Sequence, residues 1–236
     1  MATSDERIEY AVRRTEILRL PKQSLSTFGT TNIYYYLLTE PAYAEITQET
    51  NETVIREGRV VAEKPRIVTP YYLSRLEGFS WEARRYFEAL MHQHGASAPG
   101  VFYSYRNEPK ELSIVSQQWQ AVVDRLNADI DKRGDPLTSI IKGEDQLWDV
   151  SLLKFIYEVV HRSLRDNLSQ MGARGLLNVD SSGVPADARM RIEELFAGAL
   201  RGEADPHDLK KELDCWNLFS EYEDRFFAIF KQKRYH

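Results

Sequence analysis

The run Thr30–Thr39 (TTNIYYYLLT) sets the strongest constraint on how this chain can fold. It follows a turn signal at Gly29 and is broken by Glu40-Pro41, and its β-branched and aromatic residues favour an extended strand. Alternation puts Ile33, Tyr35 and Leu37 on one side and Tyr34, Tyr36 and Leu38 on the other, so both sides are apolar or aromatic. Such a strand must be covered on both faces, by its own helices or by a partner.

Around it, the chain changes character near Ser80. Ten of the thirteen tyrosines lie at or before Tyr105. Thr15–Leu20 reads as a short extended run. Thr53–Ile55 and Val60–Ala62 flank Arg56-Glu57-Gly58-Arg59, where Gly58 would supply the left-handed residue of a hairpin turn. Arg66–Thr69, between Pro65 and Pro70, reads as an edge strand or extended connector. Beyond Ser80 the spacing turns helical. Ser80 is a good cap for WEARRYFEALMHQ, which would bury Trp81, Tyr86, Phe87, Leu90 and Met91. Val115, Trp119, Val122, Val123, Leu126 and Ile130 form a stripe that ends at Gly134-Asp135-Pro136. Asp149 can cap a long helix from Val150 to Met171, and Pro185 and Pro206 fit the first positions of two more. A last helix, from Leu218 to Phe230, would carry Phe219, Tyr222, Phe226 and Phe230 on one face.

Strands followed by helices predict an α+β fold: a small, mostly antiparallel N-terminal sheet packed against a mainly helical C-terminal half. The expected division is a tyrosine-rich β-containing region with one helix, 1–105, and an α-helical region, 106–236, as two parts or one integrated domain.

Composition narrows the function. No run approaches the roughly 18 uncharged apolar residues of a membrane helix. The start, MATSDERIEYAVRR, lacks the apolar core of a signal peptide, so the expected compartment is the cytoplasm. The single cysteine, Cys215, can form no internal disulfide and is expected to be a small buried hydrophobe. The net charge is −5, with 10 basic and 11 acidic residues before Ser80 and 21 and 25 after it. Neither part is basic, which disfavours nucleic acid as the main partner.

No phosphate-cradling, dinucleotide, serine-hydrolase or zinc motif is present, and no cofactor or metal is expected. In ADIDKRGD the alternate acids Asp129 and Asp131 precede Gly134, but Ile140 stands where a calcium loop needs glutamate. His92 and His94 are two apart, a spacing that does not converge on a helix. Lys142, Glu144, Asp145 and Asp149 form the densest polar cluster. With His161, whose imidazole can both take and give a proton, Glu144 and Asp145 are the candidates for acid–base chemistry. Tyr103, Tyr105, Arg106 and Lys110 interleave aromatic and basic groups.

The expectation is therefore a non-enzymatic macromolecular-interaction protein, binding a protein partner or a second copy of itself. Its aromatic N-terminal surface would comprise Tyr34, Tyr36, Tyr103, Tyr105, Arg106 and Lys110. The alternatives are an enzyme, or a small-molecule or nucleotide binder, with a site between sheet and helices, and an RNA or single-stranded DNA binder.

Overall fold

The computed structural model of the chain describes residues 4–43, 51–76, 88, 91–93 and 95–232. In chain order its elements are α1 (Ser4–Arg14), β1 (Glu16–Arg19), β2 (Thr31–Thr39), β3 (Thr53–Ala62), β4 (Arg66–Val68), the short α2 (Pro70–Ser74), β5 (Gly100–Phe102), β6 (Tyr105–Val115), α3 (Trp119–Arg133), β7 (Thr138–Lys142), α4 (Trp148–Ala173), α5 (Ala186–Arg201), α6 (Pro206–Trp216) and α7 (Phe219–Gln232). The fold is α+β. It divides into two compact units, one made of residues 1–64 and 103–167 and the other of 65–102 and 168–236. Both are discontinuous in sequence, so the chain does not divide once near residue 105.

The first unit is built on a five-stranded, mainly antiparallel sheet in the order β1-β7-β2-β3-β6. β7 sits between β1 and β2, antiparallel to β1 and parallel to β2. The two-faced strand β2 is covered by the chain's own helices. On one face Leu152, Phe155, Ile156 and Val159 of α4 pack on Ile33, Tyr35, Leu37, Val60 and Ile141. On the other, Val122, Leu126 and Ile130 of α3 pack on Leu38, Ile55 and Ile140. Fully buried side chains such as Phe155 contribute about 2 kcal/mol each from apolar burial alone.

Three strand assignments differ from the sequence expectation. β3 runs unbroken through Gly58, which does not take a left-handed conformation. Gly58 is there because a Cβ at that position would fall inside the Tyr35 phenol of the neighbouring strand. β7, whose first four residues are buried, is too short to show a period. β6 occupies a stretch to which the sequence pattern assigns no strand, and Val115, the first residue of the expected helical stripe, belongs to it rather than to α3.

The second unit has a core formed by Tyr72, Ile192, Phe196, Leu213, Trp216, Phe226 and Ile229, among others, from α2 and α5 to α7. β4 and β5 form a two-stranded antiparallel sheet beside it. Asp205 caps α6 by accepting from the His207 amide at 2.9 Å, and Pro206 stands first in that helix as expected. Pro185 stands just before α5 rather than within it. Of the helix expected after Ser80, residues 88 and 91–93 are described and are helical, whereas Trp81, Tyr86, Phe87 and Leu90 lie outside the described residues.

Candidate functional site: the outer strand β6

β6 is the last strand of its sheet, and among the described residues no further strand pairs with its outer side. Pro109 lies within it, which only an edge strand tolerates well, because proline brings no N–H to a ladder. Cross-strand register assigns its side chains. Tyr105, Asn107, Leu112 and Ile114 pair with Ala62, Val60, Arg56 and Val54 and share the α4 face. Arg106, Glu108, Glu111, Ser113 and Val115 pair with Val61, Arg59, Glu57, Ile55 and Thr53 on the α3 face. Between Pro109 and Glu111 the register shifts, so Lys110 is the extra residue of a bulge.

The strand has two unlike halves. From Tyr105 to Lys110 it is charged and internally paired. Arg106 and Arg59 both bind Glu108, the first at 2.7 Å, and together they hold its carboxyl below the usual carboxylate range. Asn107 accepts the Tyr35 hydroxyl at 2.9 Å, while burial pushes the Tyr35 phenol up. From Glu111 to Val115 the strand is apolar on one side and open: Leu112 is 59% exposed and Ile114 54%.

The six residues expected to form one aromatic surface are dispersed. Tyr34 is exposed on the α3 face. Tyr36, half-buried on that face, packs against the α3 core and accepts from Arg133 at 3.4 Å. Tyr103 packs against the α4 core, with its hydroxyl 3.1 Å from the Asn167 amide group, and burial pushes its phenol up. Tyr105 is exposed on the α4 face, Arg106 is tied to Glu108, and Lys110 lies 3.8 Å from Glu57. Glu111, Leu112 and Ile114 of this edge are not among the residues expected from the sequence. The signal was present in the alternation of Glu111-Leu112-Ser113-Ile114, hidden by the helical stripe that begins next to it.

The acid–base candidates do not converge. Asp145 accepts from Thr39 Oγ1 at 2.7 Å and pairs with Arg56 at 2.8 Å, and the Arg56 guanidinium lies over the Trp148 ring. Glu144 is 3.6 Å from Arg14. Lys142 lies 4.0 Å over the Trp119 ring, on the α3 side of the sheet. His161 is exposed on α4 and stacks on Tyr157. Asp131 of the calcium-like stretch pairs with Arg19 at 2.6 Å, and Gly134 is the left-handed cap of α3. His94 lies outside the described residues. Among those described, no three His, Cys, Asp or Glu side chains are placed to hold a metal, and no helix is long and apolar enough to cross a membrane.

The second unit contains a cleft of about 420 Å³ lined by Tyr71, Ser97, Ser182, Trp216, Asn217 and Glu221, among others. Its carboxylate, Glu221, is compensated by Arg189 at 2.7 Å. Cys215 is buried in the core of this unit. Comparison with known protein families, curated proteins and solved structures finds no match to this chain.

Proposed function

We propose that this is a non-enzymatic protein-binding protein, with the cytoplasm as its expected compartment, and that its docking element is the outer half of β6, Glu111–Val115. One observation carries the reading: two aliphatic side chains, Leu112 and Ile114, are more than half exposed on the outermost strand of a sheet. Single exposed apolar residues are ordinary, but on an open edge they lie beside backbone N–H and C=O groups with no ladder partner. An added strand would satisfy those groups and cover the aliphatics together. The helices already cover both faces of β2, so the aromatic strand itself needs no partner. The nucleic-acid reading has less support, because Arg59, directly across from Tyr34, and Arg106 both engage Glu108.

The test compares co-purification by tagged wild type, Leu112→Lys/Ile114→Lys and Tyr34→Ala, with folding checked by circular dichroism. The β6 double variant should lose the captured protein while Tyr34→Ala retains it. Equal capture by all three would remove β6 as the docking element.

A further inference from the structure

The outer half of β6 has a charge pattern that a partner must answer. Glu111 stands directly across from Glu57 on the α3 face. Like charges at directly opposed positions of an antiparallel pair repel. Glu57 has Lys110 at 3.8 Å, whereas Glu111 makes no ion pair within the described residues. On the other face, Leu112 and Ile114 stand exposed two residues apart. Pairing cannot extend smoothly towards Tyr105, because Pro109 has no N–H to offer and Lys110 forms the bulge. The open segment is thus five residues long, about 17 Å of extended chain.

We infer that this edge receives an extended segment of a partner protein with a lysine or arginine opposite Glu111 and aliphatic side chains opposite Leu112 and Ile114. The inference rests on the protein-binding reading above and adds the chemistry of the partner. A strand hydrogen-bonded to β6 places each residue on the same face as the one it opposes, with Cβ atoms about 5 Å apart. A cation opposite Glu111 therefore compensates a carboxylate that the fold leaves beside another carboxylate. The required pattern is aliphatic, any residue, aliphatic, basic, in order opposite Ile114, Ser113, Leu112 and Glu111.

A second copy of this chain fits less well. Antiparallel self-pairing centred on Ser113 sets Leu112 against Ile114 of the other copy, but it sets Glu111 against Val115 and leaves the carboxylate without a cation. Registers that bring the other copy's Arg106 or Lys110 opposite Glu111 run the ladder through Pro109 and the bulge.

The experiment uses the full chain and two labelled synthetic peptides, read by fluorescence anisotropy. One places threonine, valine, threonine, valine and lysine in order opposite Val115 to Glu111; the other has glutamate in place of lysine. Both are made in both chain directions, and amide shifts locate binding. Wild type should prefer the lysine peptide about five-fold, the upper range for a cross-strand charge pair, and Glu111→Lys should reverse the preference. Methylating the peptide backbone along one edge should abolish binding. If both peptides bind equally with shifts at 111–115, the inferred partner chemistry is overturned and the protein-binding reading stands. Binding of neither peptide overturns the inference, while co-purification still judges the broader reading. Concentration-dependent dimers lost in Ile114→Lys would overturn it in favour of a second copy.

Discussion

Glu212 is the residue whose surroundings are easiest to misread from sequence. It sits on α6 in a charged stretch, KKELD, yet it is buried in the second unit. Its carboxylate accepts from the Tyr72 hydroxyl and from Trp216 Nε1, each at 3.1 Å, with Arg66 and Arg191 at 3.6 and 3.5 Å. Burial first, and the Glu212 charge second, push the Tyr72 phenol up to about 12 from its usual 10. The folded protein therefore keeps a proton that the unfolded chain releases near pH 10. The stability linked to that proton is whole below pH 10 and is lost as pH rises to about 12, on the order of 2 kcal/mol. Tyr72→Phe cannot show this loss, although it gives up the bond to Glu212, about 1–2 kcal/mol at neutral pH. Urea unfolding should show wild type ahead of Tyr72→Phe at about pH 8, with the gap narrowing by about pH 11. A constant gap would mean the phenol is not held protonated by the fold.

At the scale of elements, legibility followed the strength of the local pattern. β2 was readable because nine successive residues favour a strand and neither face is polar, and the stripe of α4 ran long enough to fix its period. β7 was not, because five residues with two isoleucines can belong to strand or helix until β1 and β2 claim them. β6 was hidden by proline, by charge and by its bulge, all features of an edge, so the strand proposed for docking is illegible for the reason that makes it an edge. In β3, glycine suggested a turn, whereas its lack of a side chain admits Tyr35 from the next strand. Gly58→Ala should accordingly cost about 2 kcal/mol through overpacking. The penalty should shrink when Tyr35→Leu is already present, as measured by a double-mutant cycle of urea unfolding. Additive costs would place the strain elsewhere.

Across the whole molecule, the two interleaved units make sequence cuts destructive. A fragment ending at residue 105 contains β1, β2 and β3 but not β7, which separates β1 from β2 in the sheet. The complementary fragment carries α3 and α4 without most of the strands they cover. Neither 1–105 nor 106–236 should give dispersed amide spectra alone, and a folded fragment would contradict the sheet order. The same order bears on synthesis at the ribosome. β2 emerges with apolar side chains on both faces; α3 follows roughly 90 residues later, and the α4 side chains Leu152 to Val159 that cover the other face follow roughly 120 residues later. At ~5–20 residues per second the nascent strand waits about 5–25 s without full cover. For that interval the newborn chain depends on chaperones or on transient collapse to keep β2 from pairing with its neighbours on the polysome.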